Sequence, residues 1–93
     1  MDSERVDLPA RVGFDEVPGL LKRLTAELAV TQGASLDLST CVHFDSSLVG
    51  LLLELIRRQQ AAGKTLRLIN PPENLRKLAQ LYGVNGLLFD ART

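Results

Sequence analysis

A lone cysteine, Cys41, rules out an internal disulfide and makes a reducing compartment the simpler setting for this chain. Charge of neither sign is in excess, because eleven Lys and Arg balance eleven Asp and Glu. That balance excludes both the basic footprint of a nucleic-acid binder and an acidic tail. Long hydrophobic runs are also missing. The longest, Leu48 to Ile56, is interrupted by Glu54 and falls far short of the roughly 18 residues that a membrane span needs. The opening residues MDSERVDLPA lack the basic-then-apolar order of a signal peptide. No glycine-rich phosphate loop of the dinucleotide-binding or P-loop kind occurs. The expectation is a soluble, cytoplasmic protein with no cofactor and no nucleic-acid partner. At 93 residues it is read as one small domain, residues 1–93, with a modest core.

What the chain does have is alternation. Arg5 to Leu8 predicts a short strand, with Val6 and Leu8 set against Arg5 and Asp7. Asp15 is placed to cap a helix in which Val17, Leu20, Leu21, Leu24 and Leu28 keep helical spacing, and Pro18 is tolerable near its first turn. Gln32 to Ser35 reads as a loop, and Leu36 to Leu38 as a strand ending in the turn-prone Ser39 and Thr40. A helix from Ser47 to about Ala62 stops at Gly63, and Leu66, Leu68 and Ile69 predict the next strand. Pro72 suits the first helical position of a last helix, whose face is Leu75, Leu78, Ala79 and Tyr82 and which Gly83 closes. Strand and helix alternating in one small domain predict an α/β fold with a mainly parallel sheet and right-handed crossovers. With so few strands, one face of the sheet is left open or is covered by a partner.

The helix from Ser47 is apolar over an unusually wide arc. Leu48, Val49, Leu51, Leu52, Leu53, Leu55 and Ile56 cover roughly 200° of it at about 100° per residue, whereas docking on a core takes a stripe of only about 100°. Two readings are open. Either the helix is central and covered on both flanks, or one flank, Leu51 and Leu55 beside Arg58, is exposed for a protein partner.

Just before that helix stands Phe44-Asp45-Ser46-Ser47, an acid and two hydroxyls at the edge of an apolar run. Asp45 or Ser46 can cap the first turn, which accounts for one polar residue and not for the cluster. Catalysis by Ser46 with His43 and Asp45 would need a whole triad folded out of one tight turn, and no nucleophile elbow is present. Enzyme activity is therefore not expected. Cys41-x-His43-x-Asp45 is poor metal spacing without a second cluster, and no metal is expected. A phosphate on Ser46 or Ser47 would gain from the helix dipole, although Asp45 would repel it.

Taken together, Leu36-Asp37-Leu38-Ser39, Phe44-Asp45-Ser46-Ser47 and the leucine-rich helix resemble the STAS domain, the fold of anti-anti-sigma factors. Gly63-Lys64-Thr65-Leu66-Arg67-Leu68 and the helix after Asn70-Pro71-Pro72 fit the same order, so the resemblance runs from about Arg5 to Leu88. Leu78-Ala79-Gln80-Leu81-Tyr82-Gly83-Val84 is similar to the closing helix of one subgroup, the MlaB-type STAS subunit of the bacterial phospholipid ABC transporter. The fold implied is a small STAS-like mixed, mostly parallel sheet packed against helices.

The resemblance also implies a function. The chain would be a non-enzymatic accessory subunit that binds the cytoplasmic ABC transporter ATPase subunit of a complex maintaining outer-membrane lipid asymmetry. It would then lie at the inner membrane through its partner, with no direct membrane insertion. The docking surface implied joins Asp45, Ser46 and Ser47 to an apolar and basic flank of Leu48, Leu51, Leu55 and Arg58. The transporter group's functional hydroxyl, usually threonine, falls on Ser46. The serine phosphorylated in anti-sigma factor antagonists falls on Ser47, which makes a phosphorylation-switched antagonist the alternative. Leu48 stands where both groups usually carry glycine. Only Arg5 to Leu8 precedes the first helix, so the first strand of the usual N-terminal hairpin is expected to be missing.

Overall fold

A computed structural model describes residues 4–89. Strands β1 (Glu4–Asp7), β3 (Gly33–Asp37) and β5 (Thr65–Ile69) form a three-stranded sheet in the order β1-β3-β5. Both pairings are parallel, and the register sets Val6 beside Leu36 and Leu36 beside Leu68. Parallel neighbours cannot be joined by a tight turn and need a crossover. Helix α1 (Val17–Ala29) lies in the first crossover and α2 (Ser47–Ala61) in the second. Side chains alternate across a sheet, so Val6, Leu36 and Leu68 form one apolar row, and Arg5, Ser35 and Arg67 form a polar row on the other face. The apolar face belongs to the core, where Ala34, Leu36 and Leu38 are buried with Leu24, Leu28, Leu52 and Leu75.

Two strands of two residues each, β2 (Arg11–Val12) and β4 (His43–Phe44), form a second parallel pair. Sequence periodicity cannot register a strand this short. A strand therefore does follow Arg5 to Leu8 ahead of α1, contrary to the expectation, but it pairs with β4 and not with β1. The chain between Gln32 and Ser35 is also not a loop. Gly33, Ala34 and Ser35 have weak strand preference, yet β3 is flanked by β1 and β5, and pairing on both sides overrides propensity.

Helix α1 buries Leu20, Leu24 and Leu28, one face at four-residue spacing. Asp15 does not cap it. Glu16 occupies the cap position with helical backbone, and its carboxylate reaches back to accept the Gly13 N–H at 2.8 Å. In α3 (Glu73–Leu81), Pro72 is the extended cap residue and not the first helical one. Gly63 and Gly83 stop α2 and α3 at φ +75° and +73°, a left-handed conformation that glycine adopts without steric cost. A further short helix, α4 (Asn85–Leu88), buries Leu88.

The structure decides what the wide apolar arc of α2 is for. The helix packs against α1, β5 and α4 at once. Leu48, Leu51 and Leu55 are 0 %, 2 % and 1 % exposed. The reading that gave these three leucines to an exposed docking flank is corrected: they are core. A helix with neighbours on both flanks has to be apolar on both.

Candidate functional site

Asp45 organises the start of α2. Its Oδ1 accepts the Ser47 N–H at 2.9 Å and the Ser47 hydroxyl at closer range, and its Oδ2 accepts the Phe14 N–H at 3.1 Å. The Ser47 hydroxyl and N–H, with the Phe14 N–H behind them, hold the Asp45 carboxyl below the usual aspartate range. One carboxylate thus satisfies a free donor of the helix start and ties α2 to the turn that precedes α1. Ser46, at the cap position itself, has helical backbone (φ −65°, ψ −17°) and makes no side-chain cap bond. Its hydroxyl is exposed beside a fixed carboxylate, while that of Ser47 is occupied.

The tie presents a residue that sequence reasoning passed over. Phe14 is 77 % exposed, and Val42, just before β4, is 59 % exposed. The Ala10 carbonyl fixes the chain beside Val42 by accepting the Val42 and His43 N–H groups at 3.1 and 3.0 Å. A shallow depression runs along Arg11, Gly13, Val42, His43, Phe44 and Asp45, and Phe14 and Ser46 adjoin it in the chain. The result is two apolar studs around an acid, a free hydroxyl and an imidazole. The sequence did not mark Phe14 for the surface: Val12 two positions before it and Ala10 four before it are apolar at strand and helix spacing, which suits a buried ring as well as an exposed one.

The other anticipated residues are not brought to this tip. Leu48, Leu51 and Leu55 point into the core. Arg58 lies about 18 Å along α2 from Ser46 at 1.5 Å per residue, where it holds Glu54 at 2.7 Å and donates to the Thr25 hydroxyl of α1 at 3.2 Å. Arg57 and Arg58 together pull the Glu54 carboxyl down to about 2. That trio is an exposed ion-pair network joining α2 to α1, of small expected worth.

Cys41, His43 and Asp45 do not converge either. Cys41 is buried and its thiol is pushed up to about 11 by burial, whereas His43 and Asp45 are exposed. Among the described residues no group of three His, Cys, Asp or Glu side chains is placed to hold a metal ion. A buried thiol with a raised pKa is a poor nucleophile. Iodoacetamide at pH 8 should accordingly leave the folded chain unmodified and add one group in denaturant, read by intact mass. Rapid alkylation without denaturant would show that the loop carrying Cys41 opens.

A family model described as Mlab, STAS domain, matches residues 2–89. The chain belongs to this STAS family. The intermembrane phospholipid transport system binding protein MlaB of Haemophilus influenzae is 39 % identical over 49 residues, 53 % of this chain and 47 % of that protein. The match therefore spans about half the length of that relative. The solved structure of the anti-sigma factor antagonist SpoIIAA in its unphosphorylated form superposes with a TM-score of 0.70 at 20 % identity, over 96 % of this chain and 81 % of that one. At that identity the likeness is one of fold, and it agrees with the parallel sheets and flanking helices of this STAS domain. No described helix is long and apolar enough to cross a membrane.

Proposed function

We propose that this STAS domain is a non-enzymatic accessory subunit that docks through the α2 tip onto the cytoplasmic ATPase of a phospholipid-transporting ABC complex. That complex is one that maintains outer-membrane lipid asymmetry, and the domain sits at the inner membrane through its partner. The observation that carries the reading is the geometry of the tip: Asp45 is fixed by three hydrogen bonds, and the exposed Ser46, Phe14 and Val42 stand around it. A small apolar cluster beside rigid polar groups is the usual make-up of a protein-docking patch. The name of the Haemophilus influenzae relative, a binding protein of a phospholipid transport system, supports the choice of partner.

The test is the affinity of the chain for the purified ATPase subunit of its own transporter, by biolayer interferometry. Ser46→Glu and Phe14→Glu should each weaken binding about tenfold or more, as hot-spot residues do. Both should leave the thermal midpoint within a few degrees, because the two side chains are exposed and the helix start tolerates an acid. Wild-type affinity in both variants would remove the tip from the interface.

The second reading is an anti-sigma factor antagonist switched by phosphorylation of Ser47. The position of Ser47 as the first residue of α2 favours it, since a helix start attracts phosphate. Against it stands Asp45, which occupies the Ser47 hydroxyl and would repel the new charge. Incubation with an anti-sigma kinase and ATP, followed by intact mass and peptide mapping, separates the two. A phosphate on Ser47 would favour the switch.

A further inference from the structure

Strand β5 ends the sheet order β1-β3-β5, so among the described residues it is paired on one side only. Ile69 gives its carbonyl to the Leu38 N–H at 2.9 Å. Along a strand, the backbone groups of successive residues face opposite neighbours. The N–H and C=O groups of Leu66 and Leu68 therefore face the open edge. Beside that edge lies a groove of about 760 Å³, walled by Ile56 and Gln60 of α2 and by residues of α3 and α4. The apolar side chains in it are Ile56, Leu66, Leu68, Leu87, Leu88 and Phe89, and Arg67 and Arg76 border it. It lies about 20 Å along α2 from Ser46 at 1.5 Å per residue, so it is separate from the tip.

The charge of the groove is one-sided. Arg5, Arg23, Arg57 and Arg58 each hold a carboxylate. Among the described residues Arg67 and Arg76 hold none, and no Asp or Glu borders the groove. Arg76 rests instead over the Phe89 ring, 5.3 Å from its centre. A second copy of this chain meeting the same edge would set Arg67 near Arg67, which opposes self-pairing. An incoming strand with a carboxylate would satisfy the edge and the guanidinium groups together.

We propose that the β5 edge and its groove bind an extended acidic segment of a partner chain by strand addition, its backbone pairing with Leu66 and Leu68 and its carboxylates taken by Arg67 and Arg76. Main-chain bonds supply the affinity in this mode, and the apolar and charged pockets along the strand supply the choice of sequence. The inference does not depend on the function of the α2 tip.

The probe is a short capped peptide alternating valine and glutamate, added to the isotope-labelled chain and followed by amide NMR. A lysine-for-glutamate peptide is the control. The acidic peptide should shift the Leu66 and Leu68 amides and slow their hydrogen exchange, and it should bind about tenfold more tightly than the lysine peptide. In an Arg67→Glu, Arg76→Glu double variant that keeps a dispersed spectrum, the preference should reverse. Absence of shifts at Leu66 and Leu68 up to millimolar peptide would overturn the proposal, as would equal binding of both peptides. Shifts there with phosphatidylglycerol vesicles and not with peptide would assign the groove to a lipid surface and overturn it. Concentration-dependent protection of the same amides in the chain alone would assign the edge to a second copy, with the same consequence.

Discussion

Leu36→Ala should cost about 2–5 kcal/mol of folding free energy, the range for removing a fully buried leucine and leaving a cavity. In a domain of this size that is a fall in thermal midpoint of roughly 10–30 °C. Leu36 has no exposed surface and sits on the central strand, with Val6 and Leu68 beside it in the same row. Backbone pairing on both sides of β3 keeps the strands from closing over the space. Of the residues two positions either side of it, Ala34 has no bulk to fill the gap, and Leu38 is itself fully buried in the core. Small domains are stable by only about 5–15 kcal/mol, so the variant should be partly unfolded near body temperature. Circular dichroism with heating measures the loss, and Leu87→Ala, at an exposed leucine, is the matched control with little change. Equal midpoints for the two variants would mean that the Val6, Leu36 and Leu68 row is not the centre of the core.

Asp37→Ala should give the second-largest loss, about 10 °C in midpoint. Asp37 is buried at the end of β3 and serves three strands. Its Oδ1 accepts the Ser39 N–H at 2.9 Å and the Asn70 side-chain N–H at 3.4 Å, and its Oδ2 meets Arg5 at 2.5 Å. Arg5 belongs to β1, Ser39 to the turn after β3, and Asn70, at φ +56°, to the turn after β5. Alanine would leave all of these donors without their acceptor. The Ser39 N–H and hydroxyl, then Asn70 and Arg5, hold the Asp37 carboxyl below its ordinary value of 3.8. A carboxyl lowered in the folded state contributes stability at pH values above that ordinary value and loses it as pH falls through the lowered one. The gap between the natural chain and Asp37→Ala should thus be full at pH 7 and shrink on acidification below about pH 4. A gap that stays constant with pH would show that the carboxylate charge is not what holds the three strand ends together.

The aspartate of the Asp37-Leu38-Ser39 motif thus has a structural duty that its neighbours in sequence do not reveal. Arg5 and Asn70 lie 32 and 33 positions away on either side of it, and only the parallel register brings them to one carboxylate. The second signature, Phe44-Asp45-Ser46-Ser47, was legible as a helix start capped by Asp45 or Ser46, and the structure chooses between the two. The bonded acceptor is Asp45, with Ser46 left free. Phe14 was invisible as a surface feature, because its exposure follows from an N–H bond across 31 positions to Asp45.

The sequence by itself determined the alternation of elements, the identity of α1, α2 and α3, the parallel sheet and the STAS family, because those depend on local periodicity and on glycine and proline placement. Tertiary structure decided which apolar residues are surface and which are core. An arc on one helix cannot say what packs against it, and here α1, α4 and β5 took all of Leu48, Leu51 and Leu55. It also decided the short β2 and β4 pair and the start of β3 at Gly33, which have little preference of their own and exist because a neighbouring strand offers its backbone. Hydrophobic pattern is a property of one segment. Burial, capping and strand pairing are properties of two or more, and they appear only once the segments meet.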